Sequence, residues 1–164
     1  NKMEKEIQQY EAENKTGNHI LDTILTTKSL NCQEKNIQMT CVADGKALDF
    51  LNPMDICSIF GNALDNAITS AEKVENPEKR LIHVTVFQEK SFLRIKIENS
   101  FQGELKIKNQ LPVTTKADRR YHGFGVKSMK AVAEKYKGSL TVSAKDGWFE
   151  LRILIPLPES EKII

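Results

Sequence analysis

The segment from Asn52 to Lys73, NPMDICSIFGNALDNAITSAEK, restricts the fold more than any other part of the chain, because it is both the clearest helix and the most polar-loaded apolar segment. Asn52 can cap it, Pro53 suits the first helical turn, and Asp55 can reach back to the cap or face the positive end of the helix dipole. Ile56, Phe60, Ala63, Leu64, Ala67 and Ala71 recur at helical spacing and predict one buried stripe. Asn62 and Asn66, one turn apart, stack on a different face. Asparagine competes for backbone hydrogen bonds and is a middling helix former, so two of them in a core-packed helix need a reason.

A chain of 164 residues that is 40% hydrophobic and 28% charged can bury one domain core with a helical appendage. A formal net charge of +2 argues against nucleic acid or an anionic membrane as the main partner. Cys32, Cys41 and Cys57 are odd in number and widely spaced, which fits neither a disulfide framework nor a zinc knuckle, and a reducing cytoplasmic compartment is the simplest reading. No apolar run approaches bilayer length, and the opening NKMEKEIQQYEAEN is the opposite of a signal peptide. The chain reads as a piece of something longer.

Met3, Ile7 and Tyr10 give the first fifteen or so residues a thin apolar seam, which Thr16-Gly17-Asn18 interrupts. Ile20, Leu21, Ile24, Leu25 and Leu30 then repeat at helical spacing, and both pieces suit a helical hairpin or dimer bundle better than a globular core. Residues 37–42 alternate as a short strand. Residues 81–88 and 92–99 alternate on either side of Glu89-Lys90-Ser91 and predict an antiparallel hairpin; residues 140–143 and 148–155, turned by Asp146-Gly147, predict another. Between the hairpins, residues 100–122 are polar, basic and without period, a length of loop that is either functional or disordered. A helix over 126–136 follows Gly123-Phe124-Gly125. The fold class expected is α+β: a mixed, mostly antiparallel sheet covered on one face by helices, behind an N-terminal helical arm.

Four features form one constellation: the paired asparagines, Asn99 ending a strand, the basic loop, and a Gly-x-Gly opening a helix. Gly123 and Gly125 permit close backbone approach where a helix aims its free N–H groups, which suits phosphate oxygens, although a bare Gly-x-Gly serves equally well as a turn. Lys116, Arg119, Arg120 and His122 lie just before it and can reach phosphates or form a solvated face. Carboxamide oxygens are hard ligands of the kind magnesium accepts beside water and phosphates, so Asn66, assisted by Asn62, is a candidate metal site. The alternative for the pair is hydrogen bonding between helix and loop. Asn99 can present its carboxamide to a purine edge, or merely end a strand.

Asn62-Ala-Leu-Asp-Asn66-Ala-Ile resembles the N-box of histidine-kinase catalytic domains, and His122-Gly-Phe-Gly-Val-Lys-Ser-Met resembles their second glycine box, in matching order and spacing. The TGNHILDTIL segment, Glu98-Asn99-Ser100, and Thr114-Thr115-Lys116-Ala-Asp118 are similar, more narrowly, to the peptide-quorum-sensing, Agr-type sensor kinases. The resemblance implies a Bergerat-type two-layer α/β sandwich of the GHKL class that binds ATP and Mg2+. It implies Asn66 as magnesium ligand with Asn62 assisting, Asn99 at adenine, Gly123 and Gly125 at the phosphates, and Lys116 and His122 in the lid; Asn62 and Lys116 then serve the phosphoryl transfer itself. It divides the chain into 1–35, most of the second helix of a dimerisation hairpin, 36–158, the catalytic domain, and 159–164, a tail. The implied partners are an acceptor histidine on an upstream helix, a response regulator and a second copy of the full-length chain, and the implied location is the cytoplasmic portion of a membrane sensor. Two departures stand out. Asn99-Ser-Phe-Gln-Gly103 keeps only a late glycine of the usual first glycine box, and no histidine precedes His19. The alternative from another class is a degenerate, non-catalytic module of the same fold with weak nucleotide binding. An ATP-hydrolysing clamp fits less well, because Asn62 stands where such relatives carry a glutamate that activates water.

Overall fold

The computed structural model describes Lys2 and residues 15–103, 107–108, 111–112 and 122–158, with only the backbone of 107–108, 111–112 and 122–124. Helix α1 spans His19–Glu34. Strand β1 (Gln38–Ala43) leads through a single 3-10 turn to helix α2 (Pro53–Ala71), and β2 (Leu81–Glu89) and β3 (Phe92–Ser100) follow. A short ribbon, β4 (Ile107–Lys108) and β5 (Leu111–Pro112), precedes helix α3 (His122–Lys135), β6 (Ser139–Lys145) and β7 (Trp148–Pro156). The main sheet has five strands in the order β1-β2-β3-β7-β6. Only the β1–β2 pairing is parallel; the other three are antiparallel.

Alternation in the sequence becomes two different sheet faces. Ile82, Val84 and Val86 of β2 oppose Asn99, Ile97 and Ile95 of β3, which in turn face Phe149, Leu151 and Ile153 of β7. The aliphatic members of this set are all buried and join Ile56, Ile59, Phe60 and Leu64 of α2 in one core. Burial of each such side chain contributes about 1.5–3 kcal/mol before the entropy of ordering is set against it. The opposite face carries Arg94, Lys96, Glu98, Glu150 and Arg152, in which Lys96 bridges Glu98 at 3.1 Å and Arg152 bridges Glu150 at 3.0 Å. Both hairpins turn where expected. Lys90 takes a positive φ of 54°, and Asp146 and Gly147 take 53° and 80°, the paired left-handed geometry of a tight hairpin turn.

The break at Thr16-Gly17-Asn18 falls where expected, and the role of the helix after it changes. The Thr16-Gly17-Asn18 break is the start of α1: Asn18 Oδ1 accepts from the Leu21 N–H at 2.9 Å, and the Thr16 hydroxyl donates to Asp22 at 2.7 Å. The apolar stripe of α1, which periodicity alone suits to a hairpin, supplies Leu21, Leu25 and Cys32 to the core shared with α2. Lys28 pairs with Asp65 and Lys35 with Glu72, so α1 runs parallel to α2. The Met3, Ile7 and Tyr10 seam and the 159–164 tail lie outside the described residues. The loop over 100–122 contains one element periodicity did not reveal, the β4–β5 ribbon, whose two-residue strands are too short to show a period.

Arg80 ties the carboxyl-terminal ends of α1 and α2 together. Its Nε donates to the Val74 carbonyl at 2.8 Å and its Nη1 to the Lys35 carbonyl at 3.0 Å. Charge-assisted bonds to helix-end carbonyls, which have no partner within the helix, are the ones a folded chain loses most by breaking. Arg80→Met keeps the apolar stem and removes both bonds; it is expected to cost about 2 kcal/mol in a urea titration, with unchanged slope.

Candidate functional site

Asn52 caps α2, its Oδ1 accepting from the Met54 N–H at 2.8 Å, and Pro53 occupies the first turn as expected. Asp55 does not reach back to that cap. Its carboxylate accepts from Lys135 Nζ at 2.7 Å and from the Tyr136 hydroxyl at 2.5 Å, both at the far end of α3. The Tyr136 oxygen in turn accepts from the Asn52 N–H at 2.9 Å, and the ring meets Phe50 edge to face. The hydrogen bonds from Lys135, and then from Tyr136, hold the Asp55 carboxyl below its usual range; burial and the Asp55 carboxylate push the Tyr136 phenol up.

Proceeding along α2, Ser58 Oγ lies 3.3 Å from Ser128 Oγ, and Asn62 lies against Gly125. Positions 55, 58 and 62 thus meet 135–136, 128 and 125, which makes α3 antiparallel to α2. The same progression carries Asn66, one turn further and half-buried, to the level of the beginning of α3. Asn62 donates its Nδ2 to the Ser58 carbonyl at 2.7 Å. Its Oδ1 is the nearest atom, at 3.3 Å, to where a Cβ on Gly125 would stand. Gly123 and Gly125 lie inside the first turn of α3 rather than in a loop ahead of it. What Gly125 supplies is therefore close approach to Asn62.

Asn99 sits on the inner face of the sheet, 2% exposed, between Ile82 of β2 and Phe149 of β7. Its Nδ2 donates to the Ser100 carbonyl at 3.0 Å. Just beyond, Gln102 Oε1 accepts from the Glu75 N–H at 2.8 Å, and Ser100 Oγ donates to the Lys79 carbonyl at 2.6 Å. These bonds hold the end of β3 against the segment that follows α2. The Asn99 end of β3, the Asn66 end of α2 and the amino-terminal end of α3 therefore share one end of the helical layer. Gly103, the late glycine, is exposed with a positive φ of 96°. The His122 backbone begins α3; its side chain, and all of Lys116, Arg119 and Arg120, lie outside the described residues.

Residues 51–156 match the GHKL domain family. This chain belongs to that family. It is similar in structure to the catalytic domain of histidine kinase ThkA, at 17% identity and a TM-score of 0.64, covering 85% of this chain and 93% of that one. Histidine kinase AdeS of Acinetobacter baumannii matches at 14% and 0.60, covering 85% of this chain and 64% of its own. Full-length ShkA in complex with AMPPNP matches at 14% and 0.61, covering 84% of this chain and 29% of its own. A comparison with curated proteins finds no match. The fold class expected from the sequence is the observed one, a mixed five-stranded sheet with helices in the arrangement of histidine-kinase catalytic domains.

The residues present suit a GHKL ligand. Carboxamide oxygens are of the kind magnesium accepts beside phosphates, and a carboxamide has the donor and acceptor that a purine edge pairs with. Among the described residues no cluster of three or more His, Cys, Asp or Glu side chains is placed to hold a metal by itself. Burial pushes the Cys32 and Cys41 thiols up to about 11, which keeps them protonated and unreactive near neutrality. No helix among the described residues is long and apolar enough to cross a membrane.

Sequence reasoning missed the long-range partners of Asp55, because a first-turn carboxylate has a sufficient local explanation. It also passed over Gly61. A Cβ there would meet nothing within 4 Å, in contrast to Gly125. Gly61→Ala is expected to stabilise the protein by about 1 kcal/mol. Gly125→Ala should give less than that or reverse sign, because its Cβ presses on Asn62; denaturant titrations of the two variants in parallel check the contrast.

Proposed function

We propose that this chain is the ATP-binding catalytic region of a sensor histidine kinase of the peptide-quorum-sensing, Agr-type group. The observation that carries this reading is the apposition of Asn62 to Gly125 on antiparallel helices whose shared end also holds Asn66 and Asn99. Asn66 would hold Mg2+ with Asn62 assisting through its oxygen, and Asn99 would hold the adenine edge. Gly123 and Gly125 would admit the phosphates to the start of α3, with Lys116 and His122 over them. A bound magnesium ion would neutralise charge on the transferring phosphoryl group. The chain's own contribution is positioning: amide oxygens and helix N–H groups fixed before the ligand arrives need no reorganisation during transfer.

The acceptor would be a histidine on an upstream helix of the same protein, and the product would pass to a response regulator. The residues before α1 would belong to the second helix of the dimerisation hairpin, α1 itself packing in the core of the catalytic domain; the full-length protein would be a homodimer, with this chain in the cytoplasmic portion of a membrane sensor. Because an amide cannot act as a general base, Asn62 favours transfer over hydrolysis. Asn99 would hold adenine less firmly than a carboxylate does, since the charge-assisted part of the bond is missing.

Titration with ATP and magnesium, followed by melting temperature, tests the reading. A magnesium-dependent rise at millimolar ATP is expected, reduced at least tenfold in apparent affinity by Asn66→Ala. Absence of any rise would leave the non-catalytic interaction module as the better account. Rapid hydrolysis of ATP by the isolated chain would contradict the role given to Asn62.

A further inference from the structure

Helix α3 buries Val126, Met129 and Ala133, and meets α2 along the adjoining row of Gly125, Ser128 and Lys135. A slip of one residue turns a helix by about 100° and would take that stripe out of the core, so burial fixes which face of α3 turns inward. Methionine is flexible and alanine small, so burial leaves a small axial shift open. Such a shift would move Gly125 off Asn62, to which it comes so close that a Cβ there would stand only 3.3 Å from Oδ1. Directional bonds can set this finer offset.

Among the described residues the two helices meet at three levels, and these differ in strength. The Ser58–Ser128 contact is long, at 3.3 Å, and lies at the surface. Asn62 meets Gly125 by contact only. The third joins Asp55, Lys135, Tyr136 and the Asn52 N–H through bonds of 2.5–2.9 Å. We propose that Asp55 and Tyr136, with Lys135, form a positioning latch that sets the offset of α3 on α2 and so keeps Gly125 against Asn62, about 10 Å away along α2. The proposal rests on the reading of that contact as part of the nucleotide site. Lys135 is 57% exposed, and an exposed ion pair adds little stability. The geometry explains the cluster better than stability does. Tyr136 is fixed on three sides, by Asp55, by the Asn52 N–H and by Phe50, and so ties the first turn of α2 and its cap residue to the end of α3. A directional polar contact that fixes register is the best attested use of such groups in packed helices.

The test compares Tyr136→Phe, which keeps the ring against Phe50, Asp55→Asn, and the core variant Ile155→Val as a stability control. Two readouts are taken on the full chain: the 1H–15N resonances of the Asn62 side-chain amide and of the Gly123 and Gly125 backbone in the free protein, and calorimetric binding of a non-hydrolysable ATP analogue with magnesium. The latch predicts displaced Asn62, Gly123 and Gly125 resonances in both latch variants, together with 5- to 10-fold weaker binding. Ile155→Val should lower the melting temperature with neither effect. Resonance changes confined to residues 50–58 and 133–138, with wild-type affinity, would overturn the latch. If the wild-type chain binds no nucleotide, the reading of the site fails, and the free-protein resonances still decide the latch.

Discussion

The antiparallel seating of α3 on α2 is the constraint on which the site depends. The sheet and its core fix which face of each helix turns inward, and the offset of α3 on α2 then decides which residues meet. Seating α3 so that Gly125 falls on Asn62 brings a carboxamide oxygen against a glycine in the first turn of a helix, where backbone N–H groups have no partner within the helix. The other participants reach that place through ordinary packing. Asn66 follows from the helical repeat, and Asn99 from strand alternation that puts it on the inner face at the end of β3.

Within the proposed kinase reading, this arrangement divides labour between rigid and uncharged parts. Asn62, Asn66 and Asn99 bring amide groups; Asn62 and Asn99 donate from their N–H₂ ends to the Ser58 and Ser100 carbonyls. That bonding is also what a purely structural account of the asparagines predicts, so the two accounts agree on the donors and differ on the oxygens. Charge must then come from the ligand and from the basic segment before α3.

Much of the fold was legible in the sequence for identifiable reasons. Five strands were readable because apolar and polar residues alternate cleanly along them, and α2 because its cap, proline and apolar stripe agree. The legible part of the site was local as well: two asparagines one turn apart, and glycines at a helix start. Illegible were the relations between distant elements. Periodicity showed that α1 has an apolar face but not what covers it, and only the structure places Leu21 and Leu25 in the core. The start of α3 was placed four residues late, because glycines read as loop although here they sit within the first helical turn. Asp55 had an adequate local explanation, and its actual partners lie 80 and 81 residues away.

The central claim is that one end of the helical layer is a magnesium–nucleotide site. A crystal structure of this chain with magnesium and a non-hydrolysable ATP analogue tests it most directly. The account predicts the metal on the Asn66 oxygen, the adenine edge at Asn99 and the phosphates at the start of α3 beside Gly123 and Gly125. Nucleotide bound elsewhere, or bound there with Asn66 and Asn99 both turned away from it, would contradict the account.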